Sequence, residues 1–243
     1  MSLASPVPES LAQEPVSLEE SMAQLATAMD DLGSLTDTLT AVTAAALELV
    51  PGSIAASITL RRGGAKLESV GPTSEIASNA DLLQYTLNEG PCLDAAREVP
   101  LIQSPDIRRD SRWPVWGPAA YESEGILSIV SVQLLSARGV HGALNIFSTQ
   151  EDAFDHDAVA LAAVLAVHAG IAVRTTLLEE DLAAAVSSRR LIGQAQGLLM
   201  ERFTLDEDAS FALLRRLSQT SNVKVVEIAR RVVDDRARSV PTA

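Results

Sequence analysis

The sequence predicts an α+β chain with an N-terminal antiparallel sheet flanked by helices, a long connecting coiled-coil helix, and a C-terminal all-α bundle of three helices. Three observations lead to this prediction. Short strand-like segments separated by turn residues occupy residues 54–148. An apolar column at seven-residue spacing begins at Val164, which is typical of a long helix that pairs with another. Two shorter amphipathic segments with helix-start signals end the chain.

The N-terminal segment contains a lead and two helical stretches. Residues 1–16 are rich in Pro and Ser, and we expect them to be a disordered lead. Residues 17–20, with the sequence SLEE, form a capping box that starts a helix. A second helical stretch runs from about Leu35 to Leu49 and stops at Pro51-Gly52. These helices are expected to flank the sheet.

Turn residues divide the middle of the chain into strands. Ile54–Leu60 and Ala65–Val70 flank Arg62-Gly63-Gly64, which predicts a hairpin. Ile126–Leu135 and Gly142–Ser148 predict a second hairpin. Between the hairpins we expect a helical piece, a strand, and a loop with helical turns, at Leu82–Leu87, Val99–Gln103 and Asp110–Tyr121. Strands that follow one another through short turns favour an antiparallel sheet.

Residues 155–202 are interpreted as one long helix or two stacked helices. One column stays apolar at seven-residue spacing through Val164, Ile171, Leu178, Ala185, Ile192 and Leu199. A heptad pattern of this length predicts a homodimer with Val164, Ile171 and Leu178 in its seam. The alternative is a single helix that packs on its own sheet. The uncharged run 158–173 is shorter than the ~20 residues of a membrane-spanning helix, so a buried helix and no membrane partner are expected.

Two helices are predicted to complete the tail. Thr204 to Glu207 form a second capping box that starts a helix, and Asn222 can cap the next one. Val225, Ile228, Ala229 and Val232 then recur at helical spacing. The end of the long helix and these two helices would form a three-helix bundle.

Charge is unevenly distributed over a chain whose net charge is −13. Residues 1–181 hold nine Lys and Arg against 25 Asp and Glu, whereas residues 182–243 hold ten against seven. An acidic body with a mildly basic tail indicates that a nucleic acid would meet the tail. Chance variation of surface charge is the alternative explanation.

Cys92 is the only cysteine, so a disulfide within the chain is excluded. A lone cysteine fits a reducing cytoplasm. The N-terminus has no basic start followed by an apolar core, so no signal peptide is expected. Cys92 is interpreted as a buried structural residue, with a redox-sensing or ligand-sensing thiol as the alternative.

No set of residues has catalytic spacing, and we do not expect an enzyme. The three histidines, His141, His156 and His168, are scattered, and no Cys/His spacing suits zinc. His156 lies between Asp155 and Asp157, which is more typical of a helix start than of a metal site. No phosphate-binding glycine loop or nucleophile elbow is present, and no cofactor is expected.

The tail carries a specific motif over three helices. Its residues are Ser188-Arg189, Ile192, Ala195-Gln196-Gly197, Leu199-Met200, Ser210-Phe211, Leu214, Ser218-Gln219, Asn222, Lys224-Val225 and Ile228-Ala229. In this order the motif resembles the ANTAR domain, an RNA-binding module of transcription antitermination regulators. The resemblance covers roughly residues 183–236. The family usually has a lysine where this chain has Gln196.

The middle of the chain resembles a GAF domain, over about residues 20–175. The residues that carry this resemblance are Glu89-Gly90-Pro91-Cys92-Leu93-Asp94-Ala95, Asp110-Ser111-Arg112-Trp113-Pro114, Gly125-Ile126 and Gly142-Ala143-Leu144-Asn145. We therefore place a GAF-like sensor at 17–175 and an ANTAR domain at 176–240, with a helix continuous between them. The chain as a whole resembles GAF–ANTAR antitermination regulators of the actinobacterial type.

The two resemblances imply a cytoplasmic, homodimeric regulator that binds paired RNA stem-loops and prevents transcription termination. Arginine stacking and amide hydrogen bonds suit RNA loops, and the residues expected to contact RNA are Arg189, Arg190, Gln194, Gln196, Asn222 and Lys224. A small-molecule pocket is expected in the sensor near Cys92 and Trp113.

Two other functions of the tail compete with RNA binding. The last two helices are joined by a short turn, as in a DNA-binding helix-turn-helix, but acidic residues are mixed into the second one. A protein-interaction bundle needs no nucleic acid at all. Gly193 and Gly197 each cost a helix about 1 kcal/mol relative to alanine, which indicates either tight helix packing or close approach of a ligand.

Overall fold

The computed structural model describes residues 34–62, 66–97, 99–136 and 139–239. The expected disordered lead at 1–16 and the helix expected from residue 17 lie outside the described residues. The helices and strands in chain order are α1 (Leu35–Leu49), β1 (Ala55–Arg62), β2 (Lys66–Val70), α2 (Glu75–Leu87), α3 (Pro91–Arg97), β3 (Leu101–Ser104), α4 (Trp116–Glu124), β4 (Ser128–Ser136), β5 (Gly139–Ser148), α5 (His156–Phe203), α6 (Glu207–Ser221) and α7 (Val225–Ser239).

The chain divides into two compact units, Met1–Arg174 and Thr175–Ala243, and the division falls inside α5. We call them the sensor unit and the bundle unit. The sensor unit contains a five-stranded sheet in the order β2-β1-β5-β4-β3, in which every pair of neighbours is antiparallel. The predicted α+β class, with its antiparallel sheet, long helix and three-helix tail, is confirmed.

The two faces of the sheet have different chemistry because side chains alternate along each strand. One face presents the buried apolar residues Ala56, Ile58, Leu60, Val130, Val132, Leu134, Leu144 and Ile146. The opposite face presents a row of buried polar residues, namely Ser57, Thr59, Ser131, Gln133 and Asn145. Helices α2, α3 and α4 pack on this second face, where Ala77, Ala95 and Trp116 join Ile129 and Phe147 in one apolar cluster.

A glycine in β5 allows the central strands to pair closely. A Cβ at Gly142 would lie 1.8 Å from the carbonyl oxygen of Thr59 on β1, so no other residue fits there without a shift of the backbone. The register of these strands sets Ser57 of β1 and Ser131 of β4 opposite Asn145 of β5, which aligns three polar side chains across the sheet.

The first part of α5 belongs to the sensor unit. Gly170 lies against β4, where an added Cβ would be 3.0 Å from the carbonyl oxygen of Leu135. The buried side chains of this part are Ala158, Ala162, Leu165, Ala166, Ala169 and Val173. By length and composition alone, α5 also passes as a candidate membrane span, with a window of mean hydropathy 1.8 that is 39% buried in the chain. The core helix of a folded domain meets the same criterion.

The bundle unit is formed by the second part of α5 with α6 and α7. Its core consists of Ala195 and Leu199 from α5, Leu214 from α6, and Ile228 and Ala229 from α7. The apolar column at seven-residue spacing therefore does not stay on one surface. Its earlier residues are exposed, whereas Ile192 packs against the bundle core and Leu199 is buried in it.

The ends of α6 differ from the predicted ones. Asp206, not Thr204, is the N-cap, and its carboxylate accepts the backbone N–H of Ala209 at 2.7 Å. Thr204 has a positive φ of 53° and lies before the helix. Asn222 does not begin α7 as an N-cap but ends α6 as a left-handed C-cap, with a φ of 53°. Asparagine tolerates this conformation better than most residues, and that explains its place there.

Candidate nucleic-acid interface and sensor site

An open face on α5 carries three of the six predicted RNA contacts together with the two glycines that the sequence singled out. We define the glycine face as Arg189, Arg190, Gly193, Gln194 and Gly197, all of which are exposed. Residues three and four apart are neighbours on a helix surface, so these five residues form one continuous patch. A Cβ at Gly193 or Gly197 would meet nothing within 4 Å. Packing within the described chain therefore does not account for either glycine.

Gln196 borders that face, but its side chain is bonded to α6. Its side-chain amide donates to the carbonyl oxygen of Glu207 at 3.2 Å and is 3.5 Å from the hydroxyl of Ser210. Ser210 is fully buried and also donates to the Glu207 carbonyl, at 2.8 Å. Gln196 thus joins α5 to the first turn of α6 and holds two of the three bundle helices in place.

Asn222 and Lys224 lie in the connection between α6 and α7 and not on the glycine face. Both side chains are exposed. The carbonyl oxygen of Lys224 accepts the backbone N–H groups of Glu227 and Ile228, so this residue starts α7 while its ammonium group points to solvent. The structure gives these two residues a role in the turn and leaves their side chains available for a ligand.

Two further arginines belong among the candidate RNA contacts. Arg215 and Arg216 on α6 are exposed, and neither makes an ion pair within the described residues. They directly follow the buried Leu214 and lie on the polar side of an amphipathic helix, a pattern that would have identified them from the sequence. On α7, by contrast, Arg230 lies 3.4 Å from Glu227, which partly neutralises its charge.

The predicted dimer seam is exposed in the single chain. Val164, Ile171 and Leu178 all leave large apolar surface in solvent, and Ile171 is 57% exposed. The same side of α5 also exposes Val167, Leu182 and Val186. Single exposed apolar residues are common, but a row of six at helical spacing is typical of an interface. These six apolar side chains are together called the α5 seam below.

In the sensor unit, Cys92 and Trp113 are both core residues. Cys92 is fully buried at the start of α3, and burial, together with the nearby charge of Asp81, raises the pKa of its thiol well above the ordinary value. Trp113 packs edge-on against Trp116, with 6.0 Å between the ring centroids, and its indole N–H donates to Asp94 at 2.9 Å. The structure thus places Cys92 on α3 and bonds Trp113 to the same helix through Asp94.

A buried polar network beside Cys92 was not predicted from the sequence. We define the Asp81 network as the hydrogen-bonded side chains of Ser57, Thr59, Ser69, Asp81, Tyr85, Ser131 and Asn145. It occupies the polar face of the sheet beneath α2. Nearby, Gln84 accepts the backbone N–H of Cys92 at 2.8 Å, and its buried Nε2 has no partner among the described residues. Buried polar groups in this number mark the most unusual chemistry of the sensor unit.

No group of three metal-ligating side chains occurs in the part of the chain that the structure describes. The buried carboxylate of Asp81 lies among hydroxyl and amide groups, and the carboxylates of Asp106 and Asp110 pair with Arg108 and Arg112. These two arginines lower the pKa of the carboxyl groups they contact. The described groups therefore favour hydrogen bonding and not metal chemistry.

Comparisons with known proteins identify two domains. The model of the GAF domain matches residues 33–174, and the model of the ANTAR domain matches residues 180–233. A comparison with curated protein sequences gave no match.

Several solved structures share the fold of the sensor unit. The GAF domain of a phosphoenolpyruvate-protein phosphotransferase from Coxiella burnetii is 13% identical, with a TM-score of 0.50 over 67% of this chain and 96% of that one. Its counterpart from Acinetobacter is 18% identical, with a TM-score of 0.51 over 66% and 94%. A Synechocystis GAF domain in its photoproduct state is 12% identical, with a TM-score of 0.50 over 61% and 99%. At these identities the likeness concerns the fold alone.

The GAF model covers more than half of the chain, and the ANTAR model covers most of the bundle unit. GAF domains are signal-sensing modules, and ANTAR domains are RNA-binding modules of antitermination. The chain therefore belongs to the GAF domain family and carries a C-terminal ANTAR domain, as a regulator that joins the two.

Proposed function

We propose that this protein is a cytoplasmic, homodimeric regulator that binds paired stem-loops in nascent transcripts and prevents a terminator hairpin from forming. In this proposal a signal received by the GAF domain, at 17–175, controls RNA binding by the ANTAR domain, at 176–240. The chain acts without enzymatic activity, cofactor or membrane. The glycine face of α5 is the observation that carries the proposal.

The glycine face has the properties that an RNA contact needs. Two glycines cost the helix about 1 kcal/mol each, and neither is needed for packing within the described chain. Without side chains at these positions, a sugar–phosphate backbone can approach the helix closely. Arg189 and Arg190 border the glycines and can bind phosphate or stack on an unpaired base.

The α5 seam supports the homodimer. Its six apolar side chains are spaced for a partner helix, and a second copy of the same chain offers a matching surface. Two copies would bring two glycine faces into one particle, which suits a target made of two stem-loops. Two contacts in one particle also bind more tightly than either contact alone.

Binding to DNA by α6 and α7 is the second candidate for the tail. The two helices are joined by a short turn around Asn222, as a helix-turn-helix requires. The polar side of α7, however, mixes Glu227, Asp234 and Asp235 with its arginines, and Arg230 is paired with Glu227. These carboxylates would repel DNA phosphates in a groove, so RNA binding is the better supported function.

Arg189→Ala tests the proposal. One arginine contact to phosphate or base is worth roughly 1–3 kcal/mol, so we expect about 5- to 150-fold weaker binding to a stem-loop pair taken from RNA that co-purifies with the protein. The matched control is Arg230→Ala, because that arginine is equally exposed but already paired with Glu227. We expect this control to bind within about twofold of the wild type.

Circular dichroism should be unchanged in both variants, since each side chain is exposed. Equal binding by Arg189→Ala and wild type would remove Arg189 from the interface. Tight binding to duplex DNA and none to RNA would favour the helix-turn-helix function instead, and no nucleic acid in the purified protein would favour a protein-interaction bundle.

A further inference from the structure

Asp81 is a fully buried carboxylate at the centre of the Asp81 network. It lies on the face of α2 that covers the sheet. One oxygen, Oδ2, accepts a hydrogen bond from Ser69 on β2 at 2.6 Å, and the other, Oδ1, accepts one from Asn145 on β5 at 3.2 Å. Ser57 on β1 is a further donor. One helix residue is therefore bonded to three neighbouring strands.

Every donor that reaches Asp81 in the described chain is neutral. An ionised carboxylate that is buried without a cation is destabilising, because hydrogen bonds alone must compensate for the hydration that it loses. Burial accordingly raises the pKa of Asp81 to about 6, against the smaller opposing effect of Ser69, Ser57 and Asn145. Asp81 thus exchanges its proton in the range of cellular pH.

The network can accommodate both forms of this carboxyl group. Nδ2 of Asn145 carries two hydrogens but has acceptors on three residues, Ser57 at 3.3 Å, Thr59 at 3.1 Å and Asp81 at 3.2 Å. When Asp81 gains a proton, the amide retains two acceptors. The hydroxyl of Ser69 can rotate and accept the new O–H, because a hydroxyl is both donor and acceptor. The Asp81 carboxyl group therefore has a hydrogen-bond partner in either form.

We propose that Asp81 is a proton-responsive switch of the sensor unit, in which gain or loss of one proton changes the hydrogen bonds that join α2 to β1, β2 and β5. The inference deepens the proposed function, because it rests on the role of the GAF domain as a sensor and names one way in which that domain responds. Ser69 lies on β2, the edge strand of the sheet, which pairs only with β1. The hydrogen bond from Ser69 to the ionised carboxylate therefore joins α2 to this edge strand.

Other titratable groups near Asp81 do not replace it in this role. Burial and the charge of Asp81 raise the pKa of both Tyr85 and Cys92, so these two stay protonated. Arg61, on the same face of β1, donates to the carbonyl oxygen of Ala96. The remaining charged or titratable groups on the packed strands are Arg62 of β1, Lys66 and Glu68 of β2, and His141 of β5; of these, Glu68 acts on Tyr85.

The sign of the effect on stability follows from the raised pKa. Between the unfolded value of about 3.8 and the folded value of about 6, the folded chain binds more protons than the unfolded one. Stability contributed by the protonated carboxyl is therefore complete below about pH 4 and is lost as the pH rises through 6. Asp81→Asn has no proton to lose, so this contribution no longer changes with pH.

Tryptophan fluorescence of the full chain reports on α2. The sequence has two tryptophans, and both belong to the sensor core. The indole N–H of Trp116 donates to the carbonyl oxygen of Ala80 at 3.3 Å, one residue before Asp81. We expect a single fluorescence transition of the wild type with its midpoint near pH 6. It should be absent in Asp81→Asn and retained in Asp37→Asn, whose carboxylate is exposed on α1.

Two further variants test which titrating group causes the fluorescence transition. Ser69→Ala removes a hydrogen bond that lowers the pKa of Asp81, so the midpoint should move upward. His141→Gln should leave the midpoint in place, because the transition belongs to the carboxyl group. A transition that disappears in His141→Gln and persists in Asp81→Asn would overturn the proposal, as would a flat wild-type titration.

Carbon-detected NMR of the Asp side chains in the wild type avoids the risk that Asp81→Asn does not fold. A carboxyl midpoint near the ordinary value of about 4 overturns the proposal without any variant. RNA affinity forms a separate readout: it should vary with pH in the wild type and not in Asp81→Asn. Constant affinity beside a clear fluorescence transition would refute the regulatory link, whereas absence of RNA binding would refute the proposed function and leave the fluorescence test standing.

Discussion

The sensor unit encloses a network of polar side chains, whereas the bundle unit has most of its candidate polar contacts on the surface. In the sensor unit, a carboxylate, two amides and several hydroxyls are enclosed between the sheet and α2. In the bundle unit, the candidate RNA contacts are on the surface, and only Gln196 has its amide tied to a neighbouring helix. The difference indicates that the sensor unit responds through internal rearrangement, while the bundle unit acts by presenting a fixed surface.

The two units also differ in the size of their cores. The sensor core contains both tryptophans and residues from four of the five strands and their covering helices, whereas the bundle core has five buried residues, two of them alanines. In a small core each side chain supplies a larger share of the stability. The predictions below test this contrast, and they begin with the largest expected effect.

Replacing two seam residues by aspartate should abolish the proposed homodimer. Burying an apolar side chain of this size is worth about 1.5 kcal/mol or more, so Ile171→Asp combined with Leu178→Asp removes about 6 kcal/mol over the four side chains of a dimer. We expect monomers at tens of micromolar in light scattering. Ala184→Asp, an exposed residue outside the seam, is the control and should stay dimeric. A wild type that is already monomeric, with and without RNA, would show that the predicted coiled-coil dimer is wrong.

Leu214→Ala should unfold the bundle unit and leave the sensor unit intact. The side chain is fully buried in the small core, and its truncation costs about 3 kcal/mol. Helical circular dichroism should fall on mild heating while tryptophan fluorescence, which comes from the sensor unit alone, stays constant. Leu217→Ala is the control on the same helix, because Leu217 is exposed. Simultaneous loss of both signals would show that the units unfold together.

Gly193→Ala should stabilise the bundle unit and weaken RNA binding. The added methyl group meets nothing within 4 Å, so the variant gains helix propensity of about 1 kcal/mol. The same methyl would stand between α5 and an RNA backbone, and we expect a few-fold loss of affinity. Thermal unfolding and RNA titration measure the two effects. A stabilised variant that binds RNA like the wild type would place the RNA elsewhere on the bundle.

The elements that were predicted well depend on local sequence. α1 begins and ends where the apolar spacing and Pro51-Gly52 place it, and β1 and β2 form the hairpin predicted from Arg62-Gly63-Gly64. Such signals lie within a few residues of the structure they specify. The helix ends around Thr204 and Asn222 were wrong because an oxygen-bearing residue suits several cap positions, and only the backbone conformation decides among them.

The buried chemistry of the sensor unit was not predicted because it depends on residues far apart in the chain. Asp81 and Asn145 are 64 residues apart and meet only when β5 pairs with β1 in a single register. Asp81 lies directly before the helical piece predicted at Leu82–Leu87, whereas α2 begins at Glu75 and places Asp81 inside the helix. The role of Gln196 was not predicted either, because its hydrogen bond to Glu207 forms only when α6 packs beside α5.

The lone thiol of Cys92 can be used to measure how often the sensor unit opens locally in the native protein. A fully buried thiol with a raised pKa cannot react with an alkylating reagent in the closed state. Its rate of alkylation therefore equals the rate for a free thiol multiplied by the fraction of time that α3 is lifted from the sheet. Because no other cysteine competes for the reagent, mass spectrometry of whole molecules yields the free energy of this opening under native conditions, without denaturant.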